Sequence, residues 1–149
     1  MVKDDVRLIQ ILLVEDNRGD IFLTKKAFEK AKIANNIQVA TDGEMALNIL
    51  RNDKNRPSDE TIDIVLLDIN LPKMDGKQVL EAMKKDPDLR RIPVIILSSS
   101  MEEQDIRQSY DLQANGYVVK PVSFEKFVDV VSAIEKFWFS VVAFPSRVA

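Results

Sequence analysis

The run Ile62-Asp63-Ile64-Val65-Leu66-Leu67-Asp68 is the stretch that decides the predicted fold. Its four consecutive aliphatic residues, 64–67, are typical of a buried strand. A carboxylate, Asp68, ends the run. That carboxylate is either an ordinary polar strand end or a reactive group held at the rim of a sheet.

Two other apolar runs also end in charged residues. Ile11-Leu12-Leu13-Val14 is followed by Glu15-Asp16, and Gly116-Tyr117-Val118-Val119 is followed by Lys120-Pro121. Taken singly, such residues are usually turns or helix caps. Three strands that end in acidic or basic groups together indicate one site at one edge of a sheet.

Strand-like runs alternate with amphipathic, helix-like stretches along the chain. The strands are predicted near residues 9–14, 37–41, 62–67, 93–97 and 116–119. This (βα)5 order predicts an α/β fold with a doubly wound, five-stranded parallel sheet in the flavodoxin-like order, covered on both faces. Ligands of such sheets bind outside the carboxyl ends of the strands, where Glu15, Asp16, Asp68, Ser98 and Lys120 fall.

Helix boundaries are marked by capping residues. The third helix is expected to end at Asp86-Pro87. Ser100, with Glu103 three residues later, has the spacing of a capping box for the fourth helix. Ser123 is expected to cap the fifth helix. Residues 51–61 are predicted to form a solvated polar loop without a motif for chemistry.

Composition narrows the class of protein. A chain of 149 residues, 46% hydrophobic and 30% charged, suits one globular domain, 1–149. Cysteine and histidine are both absent, which excludes disulfides, thiolate zinc sites and serine–histidine triads. The net charge of −3 does not favour nucleic acid as a partner. No apolar run approaches the ~18 residues of a membrane span, so a cytoplasmic location is expected.

Three carboxylates in one pocket require a compensating cation. Like charges ~4 Å apart repel by about 4 kcal/mol at an effective dielectric near 20. Lys120 offsets one charge of Glu15, Asp16 and Asp68, and a hard ion such as magnesium would balance the rest. An aspartate carboxylate can attack phosphorus and form an aspartyl phosphate. In that chemistry Asp68 is the nucleophile, and Lys120 and the Ser98 hydroxyl contact the phosphoryl group.

The motifs closely resemble the receiver domain of two-component response regulators. They are residues 14–17, 67–72 with 74–76, 97–99 and 116–121. The resemblance covers about residues 8–136, and the motifs match in order and spacing. It implies a receiver that takes a phosphoryl group on Asp68 from a histidine of a sensor kinase, rather than an enzyme with an external substrate.

The resemblance also implies roles for the other site residues. Glu15, Asp16 and Asp68, with the backbone carbonyl of Asn70, match the ligands of magnesium or manganese. Lys120 matches the phosphate-contacting lysine. The remaining matches are Ser98, the switch hydroxyl, and Tyr117, the switch aromatic residue. In the family these two residues move together in a shift between two states.

Two departures from the common pattern resemble the small regulators that partner bacterial phytochromes. One is the longer loop at 51–61, and the other is the aromatic extension at 137–149 beyond the fifth helix. Exposed aromatic residues usually mark an interface, so we expect a homodimer through the extended C-terminal helix. The interface candidates are Tyr117, Phe137, Trp138, Val141 and Phe144. The alternative is that the extension folds back on its own domain.

Other functions remain as alternatives. A phosphate-independent receiver-like scaffold is disfavoured by the intact acidic site. A phosphohydrolase of the haloacid dehalogenase type needs a second aspartate at position 70, where this chain has Asn70. A flavin mononucleotide site would be repelled by Glu15-Asp16. A DNA-binding regulator needs more chain than follows the fifth helix.

Overall fold

Five strands form one parallel sheet in the computed structural model, which describes residues 8–32, 34–120, 123–134 and 136. The strands are β1 Ile9–Val14, β2 Asn35–Ala40, β3 Ile64–Leu67, β4 Val94–Ser98 and β5 Gly116–Val119. Their order across the sheet is β2-β1-β3-β4-β5, and every neighbouring pair is parallel. The predicted fold class, a doubly wound flavodoxin-like sheet, is therefore confirmed.

Helices cover both faces of this sheet. Those in the described part of the chain are α1 Arg18–Lys30, α2 Gly43–Arg51, α3 Gly76–Lys85, α4 Glu103–Asp111 and α5 Phe124–Ile134. Helices α1 and α5 share one core cluster with the sheet, and α2 and α3 share the other. None of the described helices has the length and apolar character needed to cross a membrane.

The apolar runs of β1 and β3 supply side chains to both cores. Ile11 and Leu13 pack in the cluster of α1 and α5, whereas Leu12 and Val14 pack in the cluster of α2 and α3. Successive side chains of a strand point to opposite faces, so both positions must be apolar when both faces are covered. Full burial of each such side chain contributes roughly 1.5–3 kcal/mol. This burial fixes the positions of the strand ends, and therefore of the charged residues that follow them.

Of the two helix caps predicted from the sequence, one is confirmed. The backbone N–H of Lys126 donates to Ser123 Oγ at 3.3 Å, which confirms Ser123 as the cap of α5. Helix α3 ends at Lys85, before Asp86, as expected. The predicted capping by Ser100 is wrong, because α4 begins at Glu103 without a side-chain cap.

Most residues of the segment 51–61 are exposed, as predicted, and Asp53 is the exception. The segment contains two 3-10 turns, Asp53–Asn55 and Ser58–Glu60, and the first buries the Asp53 carboxylate. Both carboxylate oxygens accept the backbone N–H of Ile62 at 3.1 Å, and burial raises the pKa of Asp53. This segment also lines a cavity of about 370 Å³ at the amino-terminal edge of the sheet.

Four of the proposed interface residues cannot be placed. Phe137, Trp138, Val141 and Phe144 lie outside the residues that the structure describes. Their role in a dimer stays a prediction.

Candidate functional site

The charged residues that follow the strands are fixed by backbone hydrogen bonds to neighbouring strands. Asp68 N donates to Val14 O at 3.0 Å, and Lys120 N donates to Ser98 O at 2.8 Å. Glu15 N donates to the last carbonyl of β2 at 2.9 Å. The parallel ladders therefore continue one step past the strands and bring the three side chains to one edge of the sheet.

Lys120 lies at the centre of the site. Its Nζ donates to Glu15 Oε1, to Asp20 Oδ2 at 2.8 Å and to Asp68 Oδ2 at 3.3 Å. A lysine ammonium has three N–H donors. These three contacts use all of them, and the longest is the one to Asp68.

The site carries more negative than positive charge. Glu15 is only 2% exposed, and burial, reinforced by the charge of Asp68, raises its pKa to about 7 even though Lys120 opposes the rise. Burial would lower the pKa of Lys120, but its hydrogen bonds to Asp20 and Glu15 outweigh that effect and raise it. Lys120 is therefore a charged ammonium that only partly neutralises the carboxylates.

The donor set at this edge suits a hard divalent cation. The candidates predicted from the sequence, Glu15, Asp16, Asp68 and the carbonyl of Asn70, offer only oxygen atoms, which magnesium and manganese prefer. Two of the carboxylates, Glu15 and Asp68, are buried beside each other with excess negative charge. Asp16 is exposed. Within the described ranges no three acidic side chains are arranged as a ready metal cluster.

Asp68 is held from the loop that follows it. Its Oδ1 accepts the backbone N–H of Asn70 at 3.2 Å. The first residue of α3, Gly76, lies directly against the Asp68 backbone and donates its N–H to Ile69 O at 2.8 Å. Both contacts limit the positions that the Asp68 carboxylate can take.

The two predicted switch residues meet through Ser100. Ser98 is fully buried at the end of β4, and its Oγ accepts the N–H of Ser100 at 3.2 Å. The Tyr117 hydroxyl donates to Ser100 O at 2.9 Å. The β4–α4 loop therefore links Ser98 at the end of β4 to the side chain of Tyr117 on β5.

Further polar contacts tie this loop to α3. Ser100 Oγ donates to Asp105 Oδ2 at 2.6 Å, and Lys77 Nζ on α3 donates to Asp105 Oδ1 at 2.5 Å and Gln108 Oε1 at 2.6 Å. The hydrogen bonds from Lys77 and Ser100 lower the pKa of Asp105. We call Lys77, Ser100, Asp105 and Gln108 the α3–α4 latch. The sequence did not predict it, since its members come from three separate segments.

Asp20 is the site residue that sequence reasoning missed. It lies in the first turn of α1, three residues after the cap Asn17, and its side chain reaches Lys120. An acidic residue in the first turn of a helix is common, because it favours the helix N-terminus, so Asp20 was not singled out. The only sequence signal was its position just after Glu15-Asp16.

The fold is a doubly wound sheet, and at the carboxyl ends of its strands one lysine contacts a cluster of acidic side chains. Together these features define a receiver domain. The chain belongs to the response regulator receiver domain family, whose sequence model matches residues 11–132. This membership confirms the resemblance seen in the motifs.

Several relatives are similar over nearly the whole chain. The response regulator Rcp1 of Synechocystis sp. (strain ATCC 27184 / PCC 6803 / Kazusa) is 36% identical over 136 residues, which cover 91% of this chain and 92% of Rcp1. The crystal structure of the phosphorylated cyanobacterial phytochrome response regulator RcpA is 40% identical with a TM-score of 0.84, covering 93% of this chain and 99% of RcpA. The Mn²⁺-bound form of Rcp1 is 36% identical with a TM-score of 0.81, covering 92% and 99%.

Proposed function

We propose that this protein is a stand-alone response regulator that accepts a phosphoryl group on Asp68 from a sensor histidine kinase and signals through protein contacts. The observation that carries the proposal is the Lys120 ammonium held among the carboxylates of Glu15, Asp20 and Asp68 at the carboxyl edge of the sheet. The domain is proposed to span 1–149, with a core of about 8–136 and a C-terminal extension.

The proposed reaction exchanges one bond to phosphorus for another. A carboxylate oxygen of Asp68 attacks the phosphorus of a phosphohistidine, and the O–P bond forms as the N–P bond breaks. The electron pair of the broken bond returns to the imidazole of the kinase. Water later hydrolyses the aspartyl phosphate to phosphate and the Asp68 carboxylate, so the protein turns over only its own phosphoryl group.

Residues of this chain would stabilise the charge of the transferring group directly and by holding a cation. Lys120 is already within 3.3 Å of Asp68 and can donate to a phosphoryl oxygen. Glu15, Asp16, Asp68 and the carbonyl of Asn70 would hold magnesium or manganese. The bound ion would neutralise charge that develops on the transferring group.

The readout is proposed to run from Ser98 to Tyr117. The Ser98 hydroxyl ends β4 beside the site, and its contact with Ser100 would be exchanged for one with the phosphoryl group. The backbone carbonyl of Ser100 also accepts a hydrogen bond from the Tyr117 hydroxyl. Loss of the contact between Ser98 and Ser100 would therefore change the side-chain position that Tyr117 favours. Phosphorylation would thus shift the population of two loop arrangements.

The similarity to Rcp1 and RcpA supports a phytochrome-type kinase as the partner. We also propose a cytoplasmic homodimer through α5 and the C-terminal extension, with Tyr117 near the interface, that binds neither nucleic acid nor membrane. A phosphohydrolase is less well supported, because position 70 holds an exposed asparagine instead of a second aspartate. A scaffold that ignores phosphate would not need the buried charges of the site.

Labelling with a small phosphodonor tests the central proposal. With acetyl phosphate and magnesium, the parent protein should gain the mass of one phosphoryl group in a form that hydroxylamine removes, as expected of an acyl phosphate. Asp68→Asn should gain none. Asp88→Asn is the matched control, because Asp88 is an exposed aspartate beside the cavity at the opposite edge of the sheet. Equal labelling of Asp68→Asn and the parent would refute the assignment.

A further inference from the structure

Lys120 has one partner that no step of the proposed phosphoryl chemistry uses. Glu15 and Asp68 are proposed to hold the cation and the phosphoryl group, whereas Asp20 has neither task. Asp20 nevertheless accepts a hydrogen bond from Lys120 Nζ at 2.8 Å, which is shorter than the 3.3 Å bond to Asp68. The Asp20 contact therefore competes for the donors of Lys120.

A phosphoryl group on Asp68 needs one of those donors. The hydrogen bond to Asp68 can pass to the phosphoryl group, but that group lies beyond the Asp68 carboxylate. Lys120 Nζ must therefore move toward it, and one of its other two hydrogen bonds, to Glu15 or to Asp20, must be released. The carboxylate that leaves must be rehydrated. A buried carboxylate left without a partner is costly, whereas an exposed one can turn toward water.

Exposure singles out Asp20 as the group that leaves. Its side chain is 35% exposed, against 3% for Glu15. Asp20 also lies in the first turn of α1, where the N-terminal end of the helix favours an acidic side chain without a cationic partner. Releasing Lys120 therefore costs least at Asp20.

We propose that Asp20 is a positioning residue, a displaceable counter-ion that holds Lys120 in the unphosphorylated protein and releases it to the phosphoryl group. This inference rests on the proposed phosphorylation of Asp68. Asp20 sets how much free energy the switch requires, because its contact must be lost whenever Lys120 engages the phosphoryl group. It also opposes a premature phosphoryl contact through its own negative charge.

Substitution of Asp20 should therefore favour the phosphorylated state. Asp20→Asn removes the charge but keeps a side chain of the same shape, so Lys120 becomes easier to recruit. We expect the affinity for beryllofluoride with magnesium, a non-covalent phosphoryl mimic, to rise about fivefold, as is typical of one partly exposed ion pair. Asp20→Glu keeps the charge and should stay close to the parent.

A second charge removal on the same helix serves as the control. Glu29→Gln lies near the end of α1, where Glu29 pairs only with Lys26 among the described residues. This substitution changes the net charge as Asp20→Asn does, but residue 29 does not contact Lys120. The affinity of the Glu29→Gln variant for beryllofluoride should therefore equal that of the parent. An equal rise in both variants would mean that net charge alone acts, and would overturn the inference.

The side-chain ammonium of Lys120 gives a readout that needs no phosphoryl group. With three acceptors, its NH₃⁺ protons should exchange slowly with water and give a resolved nitrogen-15 NMR signal in the parent. In Asp20→Asn the signal should shift and broaden, while in Glu29→Gln it should not. An unchanged signal in Asp20→Asn would show that Asp20 does not hold Lys120.

The two hypotheses fail in different ways. If the parent binds beryllofluoride but Asp20→Asn binds with the same or weaker affinity, the role of Asp20 is refuted and the proposed function stands. If the parent neither binds beryllofluoride nor becomes labelled at Asp68, the proposed function fails and this inference falls with it. Amide spectra of each variant would show whether the fold is retained.

Discussion

Gly76 has no space for a side chain. A Cβ atom at this position would lie 2.1 Å from Asp68 O and 2.8 Å from Ile69 Cα. Neither neighbour is a flexible side-chain end, so the backbone that carries Asp68 would have to move. The absence of a side chain at the start of α3 is therefore a requirement of the phosphoryl-acceptor loop.

Gly76→Ala should consequently damage both stability and labelling. Displacement of packed backbone typically costs about 1–3 kcal/mol, and we expect a loss of that order in the free energy of unfolding measured with urea. Phosphorylation of Asp68 by acetyl phosphate should slow at the same time, since Asp68 shifts from its place beside Lys120.

Gly116→Ala supplies the matched comparison. The nearest atom to its added Cβ would be Ile95 Cγ1 at 3.9 Å, an ordinary contact, so this variant should unfold near the parent midpoint and label normally. If Gly76→Ala were as stable and as rapidly labelled as Gly116→Ala, the close packing of Gly76 against Asp68 would not be required for stability or phosphorylation.

The residues that reach the site along strands were predictable, and the one that reaches it from a helix was not. Glu15, Asp68 and Lys120 each follow an apolar run, and parallel strands necessarily end at the same edge. Asp20 meets Lys120 only because of the direction in which α1 leaves β1. That direction depends on packing of α1 against α5 and the sheet, which no local sequence pattern states.

At the scale of elements, the α3–α4 latch explains why the predicted cap of α4 was wrong. The capping box required Ser100 to bond the start of its own helix. Its hydroxyl instead donates to Asp105, whose carboxylate is also held by Lys77 from α3. The partner of Ser100 is only five residues away, but Lys77, which holds the same carboxylate, is 28 residues away, and a local sequence pattern does not contain that contact.

The latch should contribute stability that depends on pH. Its hydrogen bonds from Lys77 and Ser100 lower the pKa of Asp105 below the ordinary 3.8. A carboxyl group with a depressed folded pKa stabilises the fold fully above its unfolded pKa, and that stability is lost as the pH falls through the folded value. Asp105→Asn should therefore be less stable than the parent at pH 7, by about 1 kcal/mol.

Urea unfolding at several pH values between 7 and 3 would measure this effect. The difference in unfolding free energy between the parent and Asp105→Asn should shrink as the pH falls below about 4. The control is Glu81→Gln on the exposed side of α3, where Glu81 makes only a surface pair with Lys85 among the described residues. A difference for Asp105→Asn that stays constant down to pH 3 would exclude ionisation of Asp105 as its source.

At the scale of the whole molecule, the sheet topology followed from the sequence because the central strands are apolar on both faces. In a run such as 64–67, alternate side chains point to opposite faces of the sheet and all of them are buried. This pattern is typical of a parallel sheet that has helices on both faces. The segment 51–61 was harder to predict, since its polar composition conceals the buried Asp53. That burial is offset by the backbone N–H of Ile62, which the fold places against the Asp53 carboxylate.

Among the residues that the structure describes, the surface between β5 and α5 is concave. A groove of about 370 Å³ lies there, bordered by Tyr117, Val130, Ala133 and Ile134, with Tyr110 beside it and 51% exposed. Apolar surface of this kind usually marks an interface. Tyr117 also belongs to the proposed readout, so association through this face would connect phosphorylation to assembly.

The predicted homodimer can be tested at that groove with Ala133→Glu. In a two-fold dimer each substitution occurs on both copies, so two carboxylates would enter one apolar interface, and association should weaken by more than about tenfold. Light scattering at tens of micromolar protein, with and without beryllofluoride, should show the parent as a dimer and this variant as a monomer.

Asn48→Glu adds the same charge to the exposed side of α2, on the other face of the sheet, and should remain dimeric. Dimerisation of Ala133→Glu equal to that of the parent would place the interface elsewhere, and a monomeric parent under both conditions would contradict the dimer itself.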